Sequence, residues 1–208
     1  MIQSTDFKKM LKIEFAPLLH KYGFKGNGFH YRKITVDHYI YCLWIQIDKY
    51  GEGCWMELGV TADFLPDTLG KPIDIKKVAA YDCEFRKRLS KQNDEMWLFS
   101  DTEYKVNQSI HAMINEFETH GLEYFKQFIG FPNPLALITI DDIENKSSLI
   151  KKVSGPLDLR LALTIARIHI FIGNKKEALK FCEWGLSKTG QSVGLIPYFQ
   201  EIRQSCLI

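Results

Sequence analysis

Six histidines, His20, His30, His38, His111, His120 and His169, are the first side chains to consider for chemistry, because an imidazole titrates near neutrality and binds metals. No two of them form an HxxxH or HExxH pair, so a zinc site on one helix face is not expected. His30 and His38 lie in or beside strand-forming sequence, where either could meet a carboxylate such as Glu57 and form an acid/base or metal cluster. The competing reading leaves both as edge histidines facing solvent. The five cysteines, Cys42, Cys54, Cys83, Cys182 and Cys206, show no CxxC or CxxxC spacing, which argues for reduced thiols in or near the core. Cys83 stands close in sequence to Arg86 and Arg88, whose charge would favour a thiolate, but no base candidate is nearby. There is no GxSxG, Walker loop or GxGxxG. Gly23-x-x-Gly26-x-Gly28 lies between a helix and a strand, the reverse of the order that presents a helix N-terminus to a pyrophosphate.

With catalytic motifs missing, the more telling residues are those that would share one sheet face: Trp44, Gln46, Trp55, Glu57, Gly59 and Thr61. Residues 39–49 and 54–64 are rich in aromatic and β-branched side chains and read as two strands, and Gly51-Glu52-Gly53 between them supplies turn chemistry. A two-residue loop at Gly51-Glu52 would pair Ile47 with Met56, Ile45 with Leu58 and Leu43 with Val60, giving one apolar face. The other face would pair Trp44 with Gly59, Gln46 with Glu57 and Cys42 with Thr61, with Trp55 at its end. A slip of one residue would mix the two sets, so the hydrophobic pattern itself is expected to select this register. Indoles beside an amide and a carboxylate make an adaptable contact surface, and a strand glycine often marks close approach of another group. The alternative is that C-terminal helices cover this face and Gly59 makes room for the Trp44 ring.

Several elements must hold that hairpin. Phe7, Met10, Leu11, Phe15, Leu18, Leu19 and Tyr22 recur at steps of three and four, predicting a first helix that Pro17 makes kink or restart near Ala16 and Gly23 stops. The apolar sheet face is expected to receive this helix. A short strand over 29–34 should precede the hairpin. A loop over 66–81 with a short helix at 75–80 should follow it, and then a fourth strand around Phe85 and Leu89. Ser100 and Glu103 read as a capping box opening a helix through Val106, Ile110, Met113, Ile114 and Phe117, which Gly121 breaks or ends. Beyond Phe131-Pro132-Asn133-Pro134 the signals are helical. One helix covers 157–172, and after Gly173 a second starts at an Asn174/Glu177 capping box and closes at Gly190. The expectation is an α+β fold: an antiparallel sheet of three to four strands packed with N-terminal and central helices over 1–131, then a C-terminal helical hairpin over 132–208.

Composition narrows the class. At 46% hydrophobic and 25% charged residues the chain is globular, and no apolar run approaches the ~20 residues that cross a bilayer, so a cytoplasmic protein is expected. The charge is blocky. Residues 1–33 carry seven Lys/Arg against two Asp/Glu, and residues 92–145 carry two against ten. Such blocks suit internal pairing or self-association better than a single basic nucleic-acid surface, so nucleic acid is not an expected partner.

Ala166, Gly173, Ala178 and Leu186 resemble one tetratricopeptide-type helical hairpin, without the repeats needed to stack a groove. A second resemblance spans about the first 130 residues. Leu18-Leu19-His20-Lys21-Tyr22-Gly23-Phe24-Lys25, Phe29-His30-Tyr31-Arg32, Trp44-Ile45-Gln46, Leu58-Gly59-Val60 and Asp82-Cys83 with Arg86, Arg88 and Trp97 resemble the bacterial domain-of-unknown-function family 4304. The resemblance implies a bacterial cytosolic α+β domain and brings no activity with it. The expected function is that of a non-catalytic module engaging a protein partner, of inhibitor or immunity type, with no cofactor, no metal and no catalytic residues. The alternative is a small-molecule-binding domain or enzyme on the same face, using Glu57 with His30 or Arg32.

Overall fold

A computed structural model describes residues 2–91, 95–190 and 192–207. The chain divides into two compact units, Met1–Lys126 and Gln127–Ile208. In the first, helix α1 (Ser4–Glu14) is followed directly by α2 (Ala16–Lys21), whose first turn contains Pro17. Proline is tolerated there because the N–H it lacks would be unpaired anyway, so the chain restarts its helix at Ala16, as its sequence predicts. Gly23, at φ +84°, then turns the backbone out.

The sheet is antiparallel throughout. Strands β1 (Lys25–Asn27), β2 (His30–Ile34), β3 (Tyr39–Ile47), β4 (Gly53–Ala62) and β5 (Phe85–Leu89) follow in that order, and β6 (Trp97–Leu98) pairs with the start of β4. It therefore holds more strands than the expected three or four. The additions, β1 and β6, are only three and two residues long, too short to show a period.

The hairpin keeps its expected faces with a different register. Ile45 opposes Met56, Leu43 opposes Leu58, Trp44 opposes Glu57, Gln46 opposes Trp55 and Cys42 opposes Gly59. Every pair is thus shifted by two residues from the register a Gly51-Glu52 turn would set. The cause is Asp48, whose carboxylate accepts the backbone N–H groups of Tyr50, Glu52 and Gly53 at 2.9, 2.7 and 2.9 Å and organises a wider loop. A shift of two leaves each side chain on its own face.

The apolar face is covered by helices. Helix α3 (Glu103–Glu116) brings Met113 Sδ to 3.9 Å from Cys54 Sγ, and α4 (Leu122–Lys126) stacks Phe125 on Tyr41 at 4.8 Å. The first helices reach the β2 side, where Phe15 meets Tyr31 edge-on at 6.1 Å, and they pack on their neighbours through Phe7–Phe99 at 4.3 Å and Phe15–Phe117 at 6.4 Å. So α3 and α4, more than the first helix, lie on the hairpin. The Ser100/Glu103 capping box is not formed. The helix starts two residues later, with Thr102 as its N-cap, while Asp101 accepts from Thr102 N and pairs with Lys105 at 2.8 Å. At Gly121 the helix is broken and not ended: a widened π-type turn, Phe117–Gly121, separates α3 from α4, and Gly121 leaves room for the Phe117 ring, from which an added Cβ would lie 2.8 Å.

The second unit is helical. It contains α5 (Ile140–Asn145), opened by a Thr139/Asp142 capping box, α6 (Ser148–Val153), α7 (Asp158–Phe171), α8 (Lys175–Lys188) and α9 (Ile196–Leu207). The expected hairpin is α7–α8, separated by Gly173 at φ +78° and capped by Asn174 Oδ1 accepting Glu177 N. Helix α9 extends it to a three-helix layer. Gly185 of α8 permits this, since a Cβ there would lie 2.4 Å from the Phe199 ring of α9.

Candidate functional site

The second face of the sheet divides into a covered end and an open end. At the covered end Ile40, Cys42, Val78, Ala80 and Cys83 form a buried cluster against which Ile73 and one side of Trp44 pack, so the chain between β4 and β5 folds back over the sheet. The short helix suggested at 75–80 does not form: residues 75–77 make a turn, and a 3-10 turn follows at Ala80–Asp82. A Cβ on Gly59 would lie 2.7 Å from Ala80 Cα and 2.9 Å from Cys83 Sγ. Gly59 therefore accommodates this turn, not the Trp44 ring. Of the six side chains singled out from sequence, Gly59 and Thr61 are consequently buried, and Thr61 is only 2% exposed.

Trp44, Gln46, Trp55 and Glu57 remain half-buried on the open end. The ladder sets His30, Trp44, Glu57 and Arg88 side by side on β2, β3, β4 and β5. The His30 ring lies parallel to Trp44 at 6.1 Å and 7°. Tyr81, in the covering turn and 46% exposed, stands edge-on to Trp44 at 5.2 Å and to His30 at 6.1 Å. At the other end of the row the Arg88 guanidinium sits 5.1 Å from the centre of the Trp55 ring, and its Nε is 3.7 Å from Glu57 Oε2. Both indoles are thus held by the chain's own cationic or aromatic groups, an arrangement worth about 0.5–1 kcal/mol per cation–π pair at exposed sites.

Neither His30 nor His38 meets Glu57, though His38 does meet another carboxylate. His30 and Glu57 are two strands apart with Trp44 between them, a backbone separation of about 10 Å at ordinary strand spacing. His38 instead pairs with Asp63, at 3.1 Å. Burial first, then Arg32 and Lys8, hold the His30 imidazole below its usual range against the opposing pull of Asp82. Cys83 is no activated thiol. Burial, the neighbouring Cys42 and Asp82 push it well above the ordinary thiol value, and Arg86 does not offset them. The core placement expected of the reduced thiols holds for Cys83, which is fully buried, although the covering turn that buries it has no periodic signature.

Sequence reasoning missed Tyr81 and the role of Arg88 on Trp55, and it used Arg32 only as an alternative. The signal for Arg88 was present, since strand parity places Arg86 and Arg88 on the face of Glu57 and Gly59. Arg32 Nε is buried and lacks a hydrogen-bond partner. An unmatched buried donor of this kind costs about 1–3 kcal/mol. Among the described residues no group of three or more His, Cys, Asp or Glu could hold a metal ion, and no helix is long and apolar enough to cross a membrane. The second unit has a hollow of about 700 Å³, lined largely by Leu157, Leu159 and Leu195 with the Lys146–Asp158 ion pair.

The sequence model of one family, described as Domain of unknown function (DUF4304), matches residues 15–127. The chain belongs to that family. The match takes in β1 to β6, the covering turn and the helices α3 and α4, so the open face lies wholly inside the DUF4304 region. No curated protein and no solved structure matches the chain.

Proposed function

We propose that this DUF4304 chain is a non-catalytic, cytoplasmic bacterial module whose open sheet face, Trp44, Gln46, Trp55 and Glu57 with Tyr81 and Arg88, engages a protein partner in the manner of an inhibitor or immunity protein. The observation that carries the reading is the row His30–Trp44–Glu57–Arg88. It spreads its titratable groups along a shallow sheet surface, separated by an indole, instead of converging them on one reacting atom as catalysis requires. Half-buried Trp, Tyr and Arg on a rigid sheet are the residue types that dominate protein interfaces, because they offer large area at little entropy cost. The location rests on composition and on the lack of a spanning helix among the described residues.

The test is a photo-crosslinking amino acid at position 46, at the centre of the open face, in cells of the source organism. The reading expects one dominant crosslinked protein, lost when Trp55→Glu is added and retained when the crosslinker is placed but Lys12, exposed on α1, is changed to Glu. Crosslinks that survive Trp55→Glu, or yields no higher than from position 12, would overturn it.

A further inference from the structure

We infer that the outer edge of β5 receives an extended segment of the partner as one more antiparallel strand, with acidic side chains opposite Arg86 and Arg88. This deepens the proposed function and rests on it. The direction of each backbone group follows from the ladder. Asp48 N donates to Gly53 O at 2.9 Å and Asp63 N to His38 O at 3.0 Å, so odd-numbered residues of β4 turn their N–H and C=O groups toward β3 and even-numbered ones toward β5. Met56, Leu58 and Val60 oppose Leu89, Lys87 and Phe85, which leaves the backbone groups of Arg86 and Arg88 directed away from the sheet. Neither residue's N–H or C=O has a backbone partner among the described residues. The other edges are already in use. On β1 the outward residue is Gly26, whose carbonyl accepts from His20 Nε2 at 2.9 Å, and on β6 the carbonyl of Leu98 accepts from Ser109 Oγ at 2.7 Å. β5 ends the sheet on its side, and both arginines are exposed. A strand edge with unused backbone groups is a template for strand addition. Charge then selects the strand. Arg86 and Arg88 stand on the face of Gly59 and Glu57; Glu57 reaches Arg88 Nε at 3.7 Å, and no carboxylate lies within ion-pair distance of Arg86 among the described residues. Like charges directly opposed destabilise a ladder, which disfavours pairing of β5 with the β5 of a second copy, whereas a carboxylate opposite each arginine stabilises it. A strand seated there lays its acidic side chains on the open face, next to Arg88 and the Trp55 ring it covers.

The experiment titrates the isotope-labelled full chain with a short peptide of alternating threonine and glutamate and follows amide hydrogen exchange along β5 by NMR. The expected result is exchange slowed roughly tenfold at Arg86 and Arg88, the order of one hydrogen bond gained, with Lys87, already turned to β4, unchanged. Residues directly opposite Arg86 and Arg88 exchange both backbone hydrogen bonds with them, so N-methylation of the glutamates should abolish the effect and N-methylation of the threonines should leave it. Arg86→Gln should weaken binding about threefold, the weight of one cross-strand pair of opposite charges, and Lys25→Gln on β1 should leave it unchanged. Arg86→Pro, which removes an outward N–H that the sheet does not use, should prevent binding; the two N-methylated peptides keep the test readable should that variant fail to fold. Absence of binding at millimolar peptide, protection that survives glutamate N-methylation, or protection of Arg86 and Arg88 in the free chain that rises with protein concentration would each overturn the inference, the last in favour of a second copy. Failure of the peptide with the position-46 crosslink intact discards the added strand and keeps the contact face; a crosslink that no longer depends on Trp55 discards the face itself.

Discussion

Gly59→Ala asks whether the covering turn is seated on the sheet where the geometry puts it. The added Cβ would meet Ala80 Cα at 2.7 Å, Cys83 Sγ at 2.9 Å and Ala80 O at 3.0 Å, whereas ordinary contacts begin near 3.4 Å. The turn must therefore withdraw by 3.4 − 2.7, about 0.7 Å, and the nearest atoms are backbone, which cannot swing aside as a long side chain would. Overpacking of this kind costs about 1–3 kcal/mol. Against it stands the gain from a less flexible unfolded chain, about 0.4–1 kcal/mol for Gly→Ala. The net expectation is a loss of about 1–2 kcal/mol, or a fall in melting temperature of roughly 4–8 °C for a unit of this size.

Calorimetric and near-UV circular dichroism melts of the full chain measure the effect. The companion variant Gly194→Ala, with nothing within 4 Å of its new Cβ, should leave the melt unchanged. Because Tyr81 belongs to the same turn and contacts Trp44 and His30, Gly59→Ala should also red-shift the emission contributed by Trp44, measured against a Trp44→Phe blank. A Gly59→Ala protein that melts at or above the parent, with unchanged Trp44 emission, would refute the close approach and with it the division of the face into covered and open ends.

Two other perturbations test the elements around this frame. Burial pushes Asp48 up, but backbone N–H groups of Gly53, Tyr50, Glu52 and Gly51 outweigh it and hold the carboxyl below its usual range. Its stabilisation is therefore present above the unfolded pKa and lost as pH falls through the lower folded value. Asp48→Ala should cost about 1–2 kcal/mol, by analogy with loss of a capping carboxylate, and should flatten the acid limb of a pH series of melts. In the second unit His169 is buried against Phe181 at 5.8 Å, and burial lowers its pKa against the opposing pull of Glu177. The folded state then binds fewer protons than the unfolded one, so stability should decline as pH falls below the unfolded value of about 6.5. His169→Phe, which keeps a ring on Phe181, should remove that decline in thermal melts at successive pH values.

The faces of the hairpin were legible because burial of one side imposes a period of two, and Leu43, Ile45, Met56, Leu58 and Val60 obey it. The register was not, for a related reason. A shift of two residues exchanges partners without exchanging faces, so hydrophobicity cannot choose between the alternatives. The choice falls to the side chain of Asp48, whose three backbone hydrogen bonds carry no hydropathic signal. Gly59 was readable as a point of close approach, yet its neighbour could not be named, because the segment over it is an irregular loop. The same loop explains why two of the six candidate site residues are buried and why Tyr81 escaped notice. Helix α9 has the weakest apolar stripe of the final three, with only Phe199 and Ile202 buried, and it left little pattern to find.

The lengths of the strands explain why the tryptophans are left available. β3 and β4 run for nine and ten residues, but β2 and β5 run for five each and their ladders stop at Trp44 and Met56. The pair Gln46–Trp55 therefore extends beyond β2 and β5, and the covering turn sits at the opposite end, over Cys42 and Gly59. On its β3 edge the hairpin runs past the end of β2, while on its β4 edge β6 takes up the pairing at Gly53 and Cys54, and the indole rings lie on its second face. Arg88 and His30 reach across to steady those rings, which limits their exposure without closing the surface. A sheet that needed only stability could have trimmed the hairpin to the length of β2 or placed threonine where Trp55 stands. Retaining large, partly wetted aromatic rings on this face is the arrangement that the proposed partner-binding role calls for, since such rings desolvate readily at an interface.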